Sequence, residues 1–180
     1  MNLKDLLDGL TAGLFSLFLL FLSFFVSVFI SYIFGSSFHQ KIVTFIFGFG
    51  SIPESLNTLE SFHLINVRMI FRIIYLMFLL IICSLLLNRT RIKKNIVPAI
   101  FVSSCLILVV SVFVLIDFNS FWEGLHFLLF PQGNYEFSLD SGFSEYFVSG
   151  FFKKFIFLLG IVYIGVCSIS YLKSNICLKF

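Results

Sequence analysis

The feature that rules out most folds is a set of four apolar runs, at residues 10–34, 66–87, 96–116 and 155–172. Each is close to or above the ~20 residues a helix needs to cross a ~30 Å hydrocarbon core. Lipid offers backbone N–H and C=O groups no partner, so a spanning segment must satisfy them itself, as a helix does. Hydrophobic residues make up 59% of the 180 and charged residues only 12%. That charge content is about half the ~25% usual in soluble domains. The expected fold is a membrane all-α protein, a four-transmembrane-helix bundle forming one membrane domain over 1–180. A small extracellular cap is expected from the loops 35–65 and 117–154, with room for a minor β element. The first run is too long for the apolar core of a signal peptide and is expected to stay as a span.

Loop charge gives an orientation. The link between the second and third runs, NRTRIKKN, carries Arg89, Arg91, Lys93 and Lys94 and no acid. Cytoplasmic loops are rich in Lys and Arg, so this link is expected inside the cell. Both termini, near Lys4 and Lys173, are then inside, and the two longer loops are outside. Cys83, Cys105 and Cys167 fall within spans and Cys177 in the tail. None sits where an extracellular disulfide would form, and they read as small apolar filler. Nothing suggests a phosphate loop, a Gly-x-Ser-x-Gly elbow or a nucleic-acid surface.

Two of the three histidines close a Glu-x-x-His: ESFH, from Glu60 to His63, and EGLH, from Glu123 to His126. On a helix this spacing puts both residues on one face. Paired copies are the ligand signature of di-metal carboxylate bundles. Such a site needs a further Glu on each of two other helices, and the other spans hold no acid inside their apolar cores. A single zinc on His63, His126 and a carboxylate stays open, as does a pair of catalytic histidines. Topology places both histidines on the same side of the bundle, His63 just before the second span and His126 shortly after Asp117. Arg68 and Arg72 follow His63. A guanidinium at that depth must snorkel, pair, or line a polar pocket, where it would bind a phosphate, carboxylate or acyl carbonyl.

The remaining polar residues have local readings. His39, just past the first span, reads as interfacial. In GSIPESLNTLE, Ser51 or Ser55 is placed to cap a helix, with Pro53 in its first turn. The run IVTFIFGF at 42–49 reads as a short strand or an interfacial segment. PQGNY at 131–135 is turn chemistry.

At these residues the chain resembles the lipoprotein intramolecular transacylase (Lit) family of bacterial integral membrane proteins. That family has Glu-x-x-His-x-x-Asp-Val at the start of the second span; here residues 60–67 read ESFHLINV. It then has a Phe-rich His segment followed by Phe-Pro-x-Gly-Asn-Trp and a Phe. Here residues 125–137 read LHFLLFPQGNYEF, followed by Asp140 and Ser141. The number of spans and the loop lengths agree, so the resemblance covers nearly the whole chain. Either block alone is weak, and the two together are fairly specific. The chain departs from the pattern in Asn66 for Asp, in Tyr135 for Trp, and in lacking a Pro around Phe147. Asn keeps the hydrogen bonding but gives no negative charge, so either activity is lower or Glu60 supplies that role. Glu123 is not part of the family pattern.

The resemblance implies an O-to-N acyltransferase of the bacterial cell membrane, multi-pass, with its site on the extracellular face. The sn-2 acyl chain of a diacylglyceryl-Cys lipoprotein would move to the N-terminal Cys α-amine, giving the lyso form. The implied partners are that lipoprotein and membrane lipid, with no cofactor, metal or nucleic acid. His63 and His126 would be catalytic, with Glu60, Asn66, Arg68, Asn134 and Tyr135 supporting them. His63 is read as the general base and His126 as the group acting on the ester, with the two roles open to exchange. From the residues alone two other classes stay open. One is a metal-dependent membrane enzyme using Glu60, His63 and His126. The other is a non-catalytic four-span accessory or lipid-binding protein.

Overall fold

The computed structural model describes residues 2–131, 133 and 152–176. All regular structure among them is helical: α1 (Leu3–Phe34), α2 (Ser37–Ile46), α3 (Thr58–Leu87), α4 (Arg89–Ile116), α5 (Phe118–Leu129) and α6 (Phe152–Ile176). Four segments have the length and composition to cross a membrane: Leu3–Phe34, Thr58–Leu87, Lys94–Val114 and Lys154–Leu172. These match the four apolar runs. The chain divides into two compact units.

The first unit comprises 1–27, 75–109 and 158–180. Its core is built from Phe15 and Leu19 of α1, Ile81 and Leu85 of α3, Ile96 and Ala99 of α4, and Tyr163 and Cys167 of α6. Asn88 alone joins α3 to α4; its side-chain amide donates to the Ser84 carbonyl at 2.9 Å. The basic cluster therefore falls on the first turns of α4, where the helix dipole disfavours cations. Asp8 of α1 offsets this by pairing with Arg91 at 2.9 Å and with Lys94. Eight residues further along both helices, the Ser16 hydroxyl donates to the Ala99 carbonyl at 2.9 Å. The constant offset means that α1 and α4 run parallel and in register. Buried hydroxyls here have no water to turn to, so each finds a carbonyl. Ser16 and Ser23 donate to the carbonyls one turn back. Tyr163 Oη lies 2.7 Å from Ser103 Oγ and 2.9 Å from Ser104 Oγ.

The second unit comprises 28–74 and 110–157. Its apolar centre is Ile42, Phe45 and Leu64, flanked by Phe38, Ile46, Ile52 and Leu56. The chain turns from α1 into α2 at Gly35, where a Cβ would stand 2.4 Å from His39 Cδ2 and 2.7 Å from the Ser31 carbonyl oxygen. Only glycine fits that corner. Ser36 caps α2 by accepting the His39 N–H. The open reading of 42–49 thus resolves as helix up to Ile46, followed by a tight stop. That stop is a Schellman arrangement: Gly48 at φ +91°, its N–H on the Phe45 carbonyl and the Phe49 N–H on the Thr44 carbonyl, both at 2.9 Å.

One local expectation is corrected. Neither Ser51 nor Ser55 caps the next helix, and Pro53 precedes it. Asn57 does the capping, because Asn57 and Glu60 form a reciprocal box. The Asn57 N–H donates to Glu60 Oε2 and the Glu60 N–H to Asn57 Oδ1, both at 2.9 Å. The helix therefore begins at Thr58, well before the apolar run at 66, and carries the first Glu-x-x-His inside it. His39 is buried, with its Nε2 3.2 Å from Ser31 Oγ. The Gly35 corner draws the ring against α1.

Candidate active site

His63 occupies the second turn of α3, on the face that also buries Glu60 one turn earlier. His126 occupies the last turn of α5. That helix starts at Asp117, whose Oδ1 accepts the Asn119 and Ser120 N–H groups at 3.1 Å. The Asp117 carboxyl is held below its usual range, chiefly by the hydrogen bond from the Ser120 side chain and also by backbone N–H groups. The cap fixes where α5 begins, and about two and a half turns later His126 is buried. Both histidines are buried, at 3% and 8% exposure.

Their rings meet. The centroids of His63 and His126 are 5.9 Å apart with planes 18° from parallel. Phe130, buried just beyond α5, leans on both, at 4.5 Å from His63 and 5.6 Å from His126. Trp122 also packs against His126, with ring centroids 4.0 Å apart. His126 Nδ1 lies 2.9 Å from the Trp122 carbonyl. A carbonyl only accepts, so Nδ1 carries the proton, and the neutral ring has its lone pair at Nε2. Burial lowers the His126 pKa from its ordinary value, partly offset by this hydrogen bond. The neutral form is thereby favoured at neutral pH.

The two copies of Glu-x-x-His are not equivalent. Glu60 is 2% exposed, whereas Glu123 lies on the exposed face of α5. Among the described residues no three His, Cys, Asp or Glu side chains gather as a metal ion would need. Arg68 is half-buried, and its guanidinium carbon lies over the Phe45 ring, 4.8 Å from the centroid. Its Nη2 approaches Gly48 so closely that a Cβ there would stand 3.2 Å away. Asn66 is half-buried on α3, and Arg72 is exposed. Asn134 and Tyr135, also expected at the site, lie outside the described residues. Sequence reading missed Trp122 and Phe130 as the rings that frame the pair. Trp122 is four residues before His126, a helical spacing that puts side chains on one face, and that was the available signal.

The family model for the lipoprotein intramolecular transacylase Lit matches residues 51–143, just over half of the chain. The chain belongs to this family. The Lit match runs from before the α3 capping box to beyond Phe130, and so takes in Glu60, His63, Arg68, Trp122 and His126. No curated protein and no solved structure matches the chain.

Proposed function

We propose that this Lit-family protein moves the sn-2 acyl chain of a diacylglyceryl-Cys lipoprotein to the α-amine of that cysteine, leaving an N-acyl, S-monoacylglyceryl product. The observation that carries the proposal is the buried, stacked pair of His63 and His126 inside the segment matched by the transacylase family. Amine and ester sit on one substrate molecule. Folding the two together supplies much of the rate, since oriented intramolecular reactions reach effective molarities of ~10^5–10^8 M.

Roles follow from which ring nitrogen carries the proton. The Trp122 carbonyl on Nδ1 supports His126, rather than His63, as the general base, since Nε2 is then the basic atom. An α-amine of pKa ~7.7–8.0 lies close enough to imidazole at ~6.5 for such a transfer. In this scheme His126 Nε2 takes the proton of the attacking amine as nitrogen bonds to the ester carbonyl carbon. The tetrahedral intermediate collapses, the bond to the glycerol oxygen breaks, and His126 returns the proton to that oxygen. His63 donates a hydrogen bond to the carbonyl oxygen as it gains charge. Glu60 and Asn66 orient His63, and Arg68 holds polar substrate atoms. The scheme is direct transfer from ester to amine, without an acyl-enzyme. The cluster Arg89, Arg91, Lys93 and Lys94 supports a cytoplasmic α3–α4 link, which puts the pair on the extracellular face and both termini inside.

The test is lipopeptide mass spectrometry on a bacterial strain with this protein as its only N-acylating activity. Lyso-form lipopeptides are expected. Their persistence in His63→Ala or His126→Ala would sink the paired-histidine mechanism.

A further inference from the structure

The exposed face of α5 changes character along its length. In the first two turns it shows Asn119, Ser120 and Glu123. In the last turn it shows Phe127 at 69%, Leu128 at 75% and Leu129 at 41% exposure. The opposite face is occupied by the His126 packing, so these apolar side chains have no share in it. We propose that α5 is a membrane-interfacial helix whose last turn, Phe127 to Leu129, seats among bilayer acyl chains, so that lipid holds His126 at its working depth.

Chain connectivity puts α5 at the right place. The membrane-crossing segment of α4 ends at Val114, and α5 begins at Phe118 with only Asp117 between the two helices. Four residues reach at most ~14 Å even when fully extended, so the first turn of α5 starts at the membrane boundary. An interfacial helix presents polar groups to water and buries apolar ones at the headgroup–acyl boundary, as the change along α5 requires.

The partner helix locates the same boundary independently. Phe62 and Ile65, on either side of His63 in α3, are 61% and 41% exposed. Further along, exposed Arg72 turns its Nη1 back to Met69 Sδ at 3.9 Å, toward the start of α3. That is the direction in which an arginine in a span snorkels to lipid headgroups. Six residues separate His63 from Met69, or about 9 Å along the axis at ~1.5 Å per residue. Headgroups within that distance put His63 in the interfacial layer, and His63 stacks on His126. Bilayer lipid is the occupant, because the helices on either side, α3 and α4, have the length and composition of membrane spans.

This inference stands apart from the acyl-transfer reading, since its test measures depth and not turnover. Trp122 is the only tryptophan in the chain and lies on α5. The full-length protein is reconstituted in phosphatidylcholine vesicles brominated either near the glycerol end or near the chain terminus. Trp122 emission is expected to be quenched more by the shallow bromines than by the deep ones, and little by aqueous iodide. Replacing both Phe127 and Leu128 with Asp is expected to weaken bromine quenching and raise iodide quenching. Strong iodide quenching of the wild type with no bromine effect overturns the proposal by placing α5 in water. Deeper bromines quenching more overturns it by placing α5 in the hydrocarbon core. The wild-type measurement decides alone if the double variant does not fold.

Discussion

His63 and His126 stack with centroids 5.9 Å apart and planes 18° from parallel, though they sit on α3 and α5 with the whole of α4 between them in sequence. Each ring is placed by its own helix start, Asn57 for α3 and Asp117 for α5. The pair is thus sensitive to changes at the two caps as well as at the rings.

Removing either ring is expected to slow transfer sharply. A general base is worth about 10^2–10^4-fold, so His126→Ala is expected to fall by that order in initial rate on a synthetic diacylglyceryl lipopeptide. His126→Gln fills the space without a base of suitable pKa and is expected to fall as far. Retention of the wild-type rate in His126→Gln would remove His126 from proton transfer.

The pH profile carries the sign of burial. Burial lowers the His126 pKa, and a base works in its neutral form. The substrate amine, at ~7.7–8.0, gives one acid limb in kcat/KM, and His126 is expected to add a second below ~6.5, the ordinary imidazole value. Loss of the lower limb in His126→Gln is expected, and a lower limb unchanged in that variant would assign it to another group.

Stability follows the same groups with its own sign. The pKa values of His39 and His126 are both lowered by burial. Above ~6.5 neither folded nor unfolded chain protonates them. As pH falls below that value the unfolded chain takes protons that the folded one refuses. Stability then declines until the folded pKa values are passed. His39→Gln is expected to flatten part of this decline in thermal unfolding monitored in detergent across pH.

Asn57→Ala breaks half of the capping box at the start of α3. A lost N-cap costs about 1 kcal/mol, so a lowered thermal midpoint is expected, together with reduced turnover as Glu60 and His63 lose their fixed register. Asn57→Asp still accepts the Glu60 N–H and is expected to retain most of both. Equal loss in the two variants would point to a role other than capping.

Arg68 is expected to resist conservative replacement. Its guanidinium lies over the Phe45 ring, and Lys offers no planar group with the same spread of donors. Arg68→Lys and Arg68→Gln are both expected to raise KM for the lipopeptide more than they lower kcat. An unchanged KM in Arg68→Gln would leave Arg68 with a packing role against Phe45 and Gly48.

The sequence by itself determined the parts that depend on local properties. A helix is the default form for an apolar run of spanning length, so 10–34 and 66–87 announced α1 and α3 without reference to anything else. The Glu60–His63 spacing placed both residues on one face of a helix for the same reason. The α3 start was misread at Ser51 and Ser55 because several residues there can cap, and the choice rests on which carboxylate reaches back. Glu60 makes that choice in favour of Asn57. Nothing local announces that Gly35 leaves no room for a Cβ or that the His39 ring lies against Ser31. Tertiary structure alone decided that His63 meets His126, that Trp122 and Phe130 frame them, and that Glu60 is buried while Glu123 is not. Those facts depend on how separate helices pack, and packing contacts between distant segments leave no periodic trace in a single chain.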